Sequence, residues 1–259
     1  MLSFPESERV VYQKNPLIEV ICQLRFARIL EIDRTPPVEV QDQLRTEYPQ
    51  LETRPGVELA FPVSSTAPPV ALARGVAYEF SSRDGAWRFV LAPDFCALTT
   101  SRYIRWEEFR ERLWHAVQVV AQRYRIPYFT RVGLRYQDLI VRSELGLADT
   151  PWRELLRVSV AGLLADPDVQ ETYFDEALSV ALLNLGEADA KCRVRHGLAR
   201  KPDNPEFAYL IDADFFTETP RERHDACNLV DQFNRRAGHF FRWCITPQLH
   251  QAMGPQPIG

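Results

Sequence analysis

Alternation of apolar and polar positions is clearest near the N-terminus. There Val20, Cys22, Leu24 and Phe26 fall on one face while Ile21, Gln23 and Arg25 fall on the other, the period of a strand with one side on a core. Asn15-Pro16 ahead of it reads as the turn that feeds the strand. Val40, Leu44 and Tyr48 then recur at fourfold spacing after Thr35-Pro36-Pro37, a helix start, and Pro49 and Pro55 stop the pattern. Pro62 to Pro69 carries neither period and reads as a loop. Two alternating runs, Ala77 to Ser81 and Trp87 to Leu91, flank Arg83-Asp84-Gly85 and predict a hairpin.

A long amphipathic helix is predicted from Trp106 to Arg125, because Trp106, Phe109, Leu113, Val117, Val120 and Tyr124 step by three or four. Pro127 ends it, and Val132, Leu134 and Tyr136 alternate with Arg131, Gly133 and Arg135 as a returning strand. Thr150-Pro151 has capping chemistry and opens a predicted helix to about Leu164, the join between two halves at residues 1–145 and 146–259. Strands follow at Leu178 to Leu183, Lys191 to Leu198 and Phe207 to Phe216. Thr219-Pro220-Arg221-Glu222 reads as a capping box, and Cys227, Val230, Phe233, Ala237, Phe240 and Cys244 mark one face of the last long helix. A short helix restarts at Thr246-Pro247. The pattern predicts an α+β fold: mostly antiparallel sheet, long amphipathic helices on one face, and a hint of two similar halves.

Composition changes the picture in three ways. At 259 residues with 46% hydrophobic content the chain buries a large core. A net charge of -4 argues against a surface devoted to neutralising phosphate, while leaving room for a local basic groove as the main route to nucleic acid. Five dispersed cysteines without CxxC spacing point to free thiols and a reducing cytoplasm. No basic-then-apolar leader and no apolar run long enough to span a bilayer stands in the chain, so no membrane is expected.

The run Asn15-Pro16-Leu17-Ile18-Glu19-Val20-Ile21-Cys22-Gln23-Leu24-Arg25-Phe26, the strand Gly133-Leu134-Arg135-Tyr136 and Ile245-Thr246-Pro247 after an aromatic helix together resemble a sporadically distributed bacterial protein family of about this length. The resemblance implies a bacterial source and, through the patchy distribution typical of mobile or phage-defence loci, an accessory protein with a protein partner. It implies no catalytic residue.

Candidate chemistry is sparse. Glu19 enters its strand as a lone carboxylate; its plain role is to accept from backbone donors or from Arg25 or Arg135, its functional one to bind in a cleft. Asp212 and Asp214 share a strand face about 7 Å apart, where two carboxylates can hold a divalent cation or act as an acid–base pair, and Lys191, Arg193 and Arg195 share a face of the preceding strand. Opposed across a hairpin, these rows form a charge ladder. Turned outward with Arg200 and Lys201, the basic row makes an anion patch that meets phosphate.

His224, Cys227 and Asp231 lie on one helical face, with His250 as a possible fourth group for zinc, against the plainer reading of Cys227 as a core residue. Phe240-Phe241-Arg242-Trp243 cannot point every ring at one core, so Phe241 or Trp243 is expected at a partner surface or a pocket wall. No nucleophile constellation, phosphate loop or dinucleotide fingerprint is present. The expectation is therefore a non-catalytic protein that binds a partner protein, with no cofactor and room for a homo-oligomer. A nucleic-acid-binding component is the alternative and a metal-dependent hydrolase the weaker one.

Overall fold

The computed structural model describes residues 4–60, 70–186, 189–200 and 206–257. The expected loop at Pro62 to Pro69, and Lys201, lie outside them. In chain order the elements are β1 (Val10–Tyr12), β2 (Leu17–Arg25), α1 (Leu30–Arg34), α2 (Val38–Leu44), β3 (Gln50–Ala60), β4 (Val70–Ser81), β5 (Trp87–Ala92), β6 (Phe95–Thr100) and α3 (Trp106–Arg123). They continue as β7 (Tyr128–Phe129), β8 (Arg131–Ile140), α4 (Trp152–Leu155), α5 (Val158–Ala161), β9 (Leu178–Asn184), β10 (Lys191–Arg200) and β11 (Phe207–Thr217). The chain closes with β12 (Arg221–Glu222), α6 (Arg223–Cys244), α7 (Pro247–Ala252) and β13 (Pro255–Pro257).

The fold is α+β, built on one antiparallel sheet of nine strands in the order β3-β4-β5-β6-β2-β8-β11-β10-β9. The sheet runs unbroken past residues 145 and 146, because β8 pairs with β11. From the central β2–β8 pair, β2 is flanked outward by β6, β5, β4 and then β3, and β8 by β11, β10 and β9, so the two sides run in the same order except for the additional outer strand β3. On each side the strand next to the central pair leads into a long helix, α3 after β6 and α6 after β11. The remaining described helices are short.

Alternation decides which face is covered. Val20, Cys22 and Leu24 of β2 are fully buried and share a face with Leu134 of β8, Phe215 of β11 and Trp87 of β5. Phe109 of α3 packs on Trp87 with ring centroids 6.0 Å apart, Phe233 of α6 on Phe215 at 6.3 Å, and Trp152 of α4 on Tyr209 of β11 at 5.4 Å. These contacts put α3, α4 and α6 on that face.

The region from Pro151 is not one helix. Leu156 forms an isolated bridge with Ile245, and the Arg157 amide donates to the Cys244 carbonyl at 2.9 Å, so the chain is extended between α4 and α5. The expected capping box is also absent. Arg221 and Glu222 are paired with Phe129 and Tyr128, Glu222 stands at the N-cap without a side-chain bond, and the Thr219 hydroxyl donates to Asp189 instead. Thr246 does cap α7, accepting from the Leu249 amide.

An N-terminal strap crosses the covered face. Its β1 pairs with β13, Phe4 packs on Phe240 at 4.9 Å, and Arg9 pairs with Glu107 at 2.7 Å.

Candidate functional site

The opposite face of the sheet carries the charged residues singled out in the sequence. Register sets Arg193 opposite Asp214 and Arg195 opposite Asp212, so the acidic and basic rows do form a cross-strand ladder. Asp212 is its centre, with a side chain 3% exposed. It accepts from Arg135 Nε and Nη2 at 2.6 and 2.7 Å, and from Arg195 Nε and Nη2 at 2.9 and 2.6 Å. Asp214 accepts from Arg131 at 2.8 Å, and burial pushes its carboxyl above the ordinary range while Arg131 pulls it down. Phe216 lies under the guanidinium groups of Arg131 and Arg193, 4.8 and 5.9 Å away.

Glu19 joins the same network through a partner not foreseen. It accepts from Arg88 at 2.8 Å, rather than from Arg25 or Arg135. The Gln137 amide, turned to suit its neighbours, donates to Glu19 at 3.2 Å and accepts from Arg135 at 2.7 Å. Arg88, Glu19, Gln137, Arg135, Asp212 and Arg195 thus form one hydrogen-bonded chain from β5 to β10. Bidentate arginine pairs of this kind fix side chains firmly. They also spend both carboxylates, leaving neither a general acid–base pair nor ligands for a cation. Lys191 sits at the end of the row, opposite Phe216.

The helical His224, Cys227 and Asp231 do not converge on a metal. The Asp231 carboxylate accepts from Trp106 Nε1 and Arg110 Nε, both at 2.8 Å, Arg110 also reaches Cys227 Sγ at 3.3 Å, and His224 bonds Asn228 at 3.1 Å. His250 is engaged by the Tyr12 hydroxyl at 2.8 Å. No cluster of three or more metal-binding side chains occurs among the described residues. The arrangement is a clasp between α3 and α6, and Asp231→Ala is expected to cost about 2 kcal/mol by stranding two donors, read by urea unfolding. A loss within 0.5 kcal/mol, roughly that of an ordinary surface substitution, would show the clasp to be idle.

Phe241 and Trp243 are covered by the chain itself. Tyr12 packs on Phe241 at 6.0 Å, Phe4 on Trp243 at 5.5 Å, and Arg157 lies over the Trp243 ring at 4.9 Å. The emerging rings thus receive the N-terminal strap.

Sequence reasoning missed a row of exposed apolar side chains on one strand. β9 is a terminal strand of the sheet, and Leu178, Val180 and Leu182 are 52%, 63% and 51% exposed. Val180 and Leu182 stand opposite Arg195 and Arg193, so an apolar row borders the arginine row on the same face. The signal was present: Leu178 to Asn184 contains no charged residue, whereas exposed edge strands are normally blunted by charge or proline. Comparison of the chain with protein-family models, curated proteins and solved structures finds no match. No described helix is long and apolar enough to cross a membrane.

Proposed function

We propose that this protein is a non-catalytic interaction protein whose partner protein lays an extended segment along β9. The carrying observation is the uncharged terminal strand with three apolar side chains at least half exposed. An added strand satisfies the free backbone groups of the edge, and alternate side chains meet Leu178, Val180 and Leu182. On the three strands next to β9, the same face holds Arg131, Arg135, Lys191, Arg193 and Arg195 against Asp212 and Asp214, five cations to two anions. That excess favours a segment with acidic residues beside its apolar ones.

The reading places the protein in the cytoplasm as an accessory component of a bacterial mobile or phage-defence locus. Free Cys22, Cys96, Cys192, Cys227 and Cys244 support the reducing compartment. A nucleic-acid role for the Lys191 to Arg195 row has less support, since Asp212 and Asp214 neutralise much of the charge that phosphate would need. A hydrolase on those aspartates is disfavoured by the same pairing.

The test is Val180→Ser with Leu182→Ser. Both side chains are more than half exposed, so the fold is expected to change by only about 0.5 kcal/mol. Binding should weaken at least tenfold, because each buried aliphatic side chain contributes on the order of 1.5 kcal/mol or more. Polypeptides that co-purify with the native protein should be lost from the double variant. Equal recovery from both proteins overturns the proposal.

A further inference from the structure

A cavity of about 290 Å³ lies between the N-terminal strap, the start of α3, β8 and α6. Its walls include Tyr12, Tyr103, Tyr136 and Phe241, and Asp138 lies in the lining. The Asp138 residue is 8% exposed, and no hydrogen bond or ion pair to its carboxyl is found among the described residues. Buried carboxyls are ordinarily satisfied, so one left without a donor beside an open space marks a place for a ligand donor.

Two further features belong to the same cavity. Gly238 lies within helix α6, where glycine costs about 1 kcal/mol against alanine. A Cβ built there meets nothing within 4 Å, so no close packing demands the glycine, and its missing side chain keeps the space open. Arg105 and Arg235 line the cavity while being exposed themselves, which puts them at its mouth, and neither has an ion pair among the described residues. Arg9, by contrast, is held by Glu107, and Arg242 donates to the Ile245 carbonyl.

We propose that this cavity binds a small zwitterion of amino-acid size, with its ammonium on Asp138, its apolar body among the tyrosines and Phe241, and its carboxylate at Arg105 and Arg235. The aromatic walls favour a cation as well as an apolar body. The volume stands at the small end of ligand pockets. The site is separate from β9 and does not rest on the partner proposal.

Binding carries a proton signature. Burial raises the Asp138 carboxyl to about 8, and Asp212 on β11 adds to the rise. The groups nearest it are the Tyr12 and Tyr136 hydroxyls and the Cys244 thiol, all raised by burial, and the same lining carries Tyr103, His239, Glu8, Arg9 and Arg242. At neutral pH the empty acid therefore holds its proton, and an arriving ammonium converts it to carboxylate with release of that proton to solvent.

Titration calorimetry on the full chain with L-phenylalanine and L-leucine tests the assignment, with phenethylamine and 3-phenylpropionate as controls lacking one charge each. At least one amino acid should bind, the controls should bind at least tenfold more weakly, and about one proton should be released at pH 7 in buffers of different ionisation enthalpy. Asp138→Asn should lose at least tenfold in affinity and all of the proton release. Gly238→Leu fills the space while improving helix propensity, so it should abolish binding in a folded protein. No binding of either amino acid, equal binding of phenylpropionate, or unchanged binding by both variants overturns the proposal.

Discussion

Replacing Asp212 by alanine is expected to destabilise the protein by about 3 kcal/mol, with a matching fall in the denaturation midpoint. The carboxylate is nearly inaccessible and accepts four hydrogen bonds from Arg135 and Arg195, whose side chains are 23% and 24% exposed. Its removal leaves two guanidinium groups facing each other over a void with no anion between them, and Gln137 loses its well-placed arginine neighbour in turn. Asp212→Asn keeps shape but only part of the acceptor capacity, so it should fall between wild type and alanine. The triple variant Asp212→Ala, Arg135→Met, Arg195→Leu should recover much of the loss, because well-packed apolar replacements of a buried ionic group are often neutral or stabilising. Urea unfolding of the four proteins decides the matter. A loss below about 1 kcal/mol for Asp212→Ala would class the ladder with surface ion pairs of little net worth.

That ladder was legible because a strand has a period of two. Lys191, Arg193, Arg195 and Asp212, Asp214 each had to share a face, and antiparallel pairing of neighbouring strands could bring the rows into opposition. Helices α3 and α6 were legible for a similar reason: Trp106 to Tyr124 and Cys227 to Cys244 keep a helical step over several turns. What the pattern could not carry were competitions settled by distant contacts. Thr150-Pro151 has the chemistry of a helix start, but the bridge from Leu156 to Ile245 pulls the chain straight after one turn. Arg221 and Glu222 are claimed by Tyr128 and Phe129 before they can cap α6.

Strands β3 and β6 were unread as well. Phe95 to Thr100 is buried on both sides almost throughout, so it lacks alternation, and Gln50 to Arg54 is exposed on both. One ring of the run Phe240 to Trp243 was expected to emerge at a partner surface or a pocket wall; Phe241 lines the cavity, and the strap that packs on it and on Trp243 lies far away in sequence. Asp138 was legible in principle. Its parity puts it in line with Val132, Leu134, Tyr136 and Ile140, a carboxyl on an apolar face, but the predicted strand stopped at Tyr136.

Asp138 gives the protein an expected pH dependence opposite to that of an ordinary salt-bridged carboxylate. Its carboxyl is moved from 3.8 to about 8, chiefly by burial. Between those values the folded state holds a proton that the unfolded chain has released, so stability falls as pH rises from 4 to 8 and levels off above. The slope contributed by this group is at most about 1.4 kcal/mol per pH unit. Asp214, also raised by burial, tilts the curve the same way, while Glu107, lowered to about 2 by Arg9, acts only in stronger acid. The difference between wild type and Asp138→Asn isolates the one group. The amide is neutral at every pH, so the variant should be flatter between pH 5 and 8 and more stable than wild type at pH 8 by roughly 2 kcal/mol or more. Parallel stability curves for the two proteins would mean that the carboxyl is solvated when folded, and the cavity floor would then lack the unpaired acid on which its selectivity for an ammonium depends. An ammonium ligand should reverse the tilt, since it favours the ionised form: its stabilising effect should grow from pH 6 to pH 8 in wild type and stay constant in Asp138→Asn.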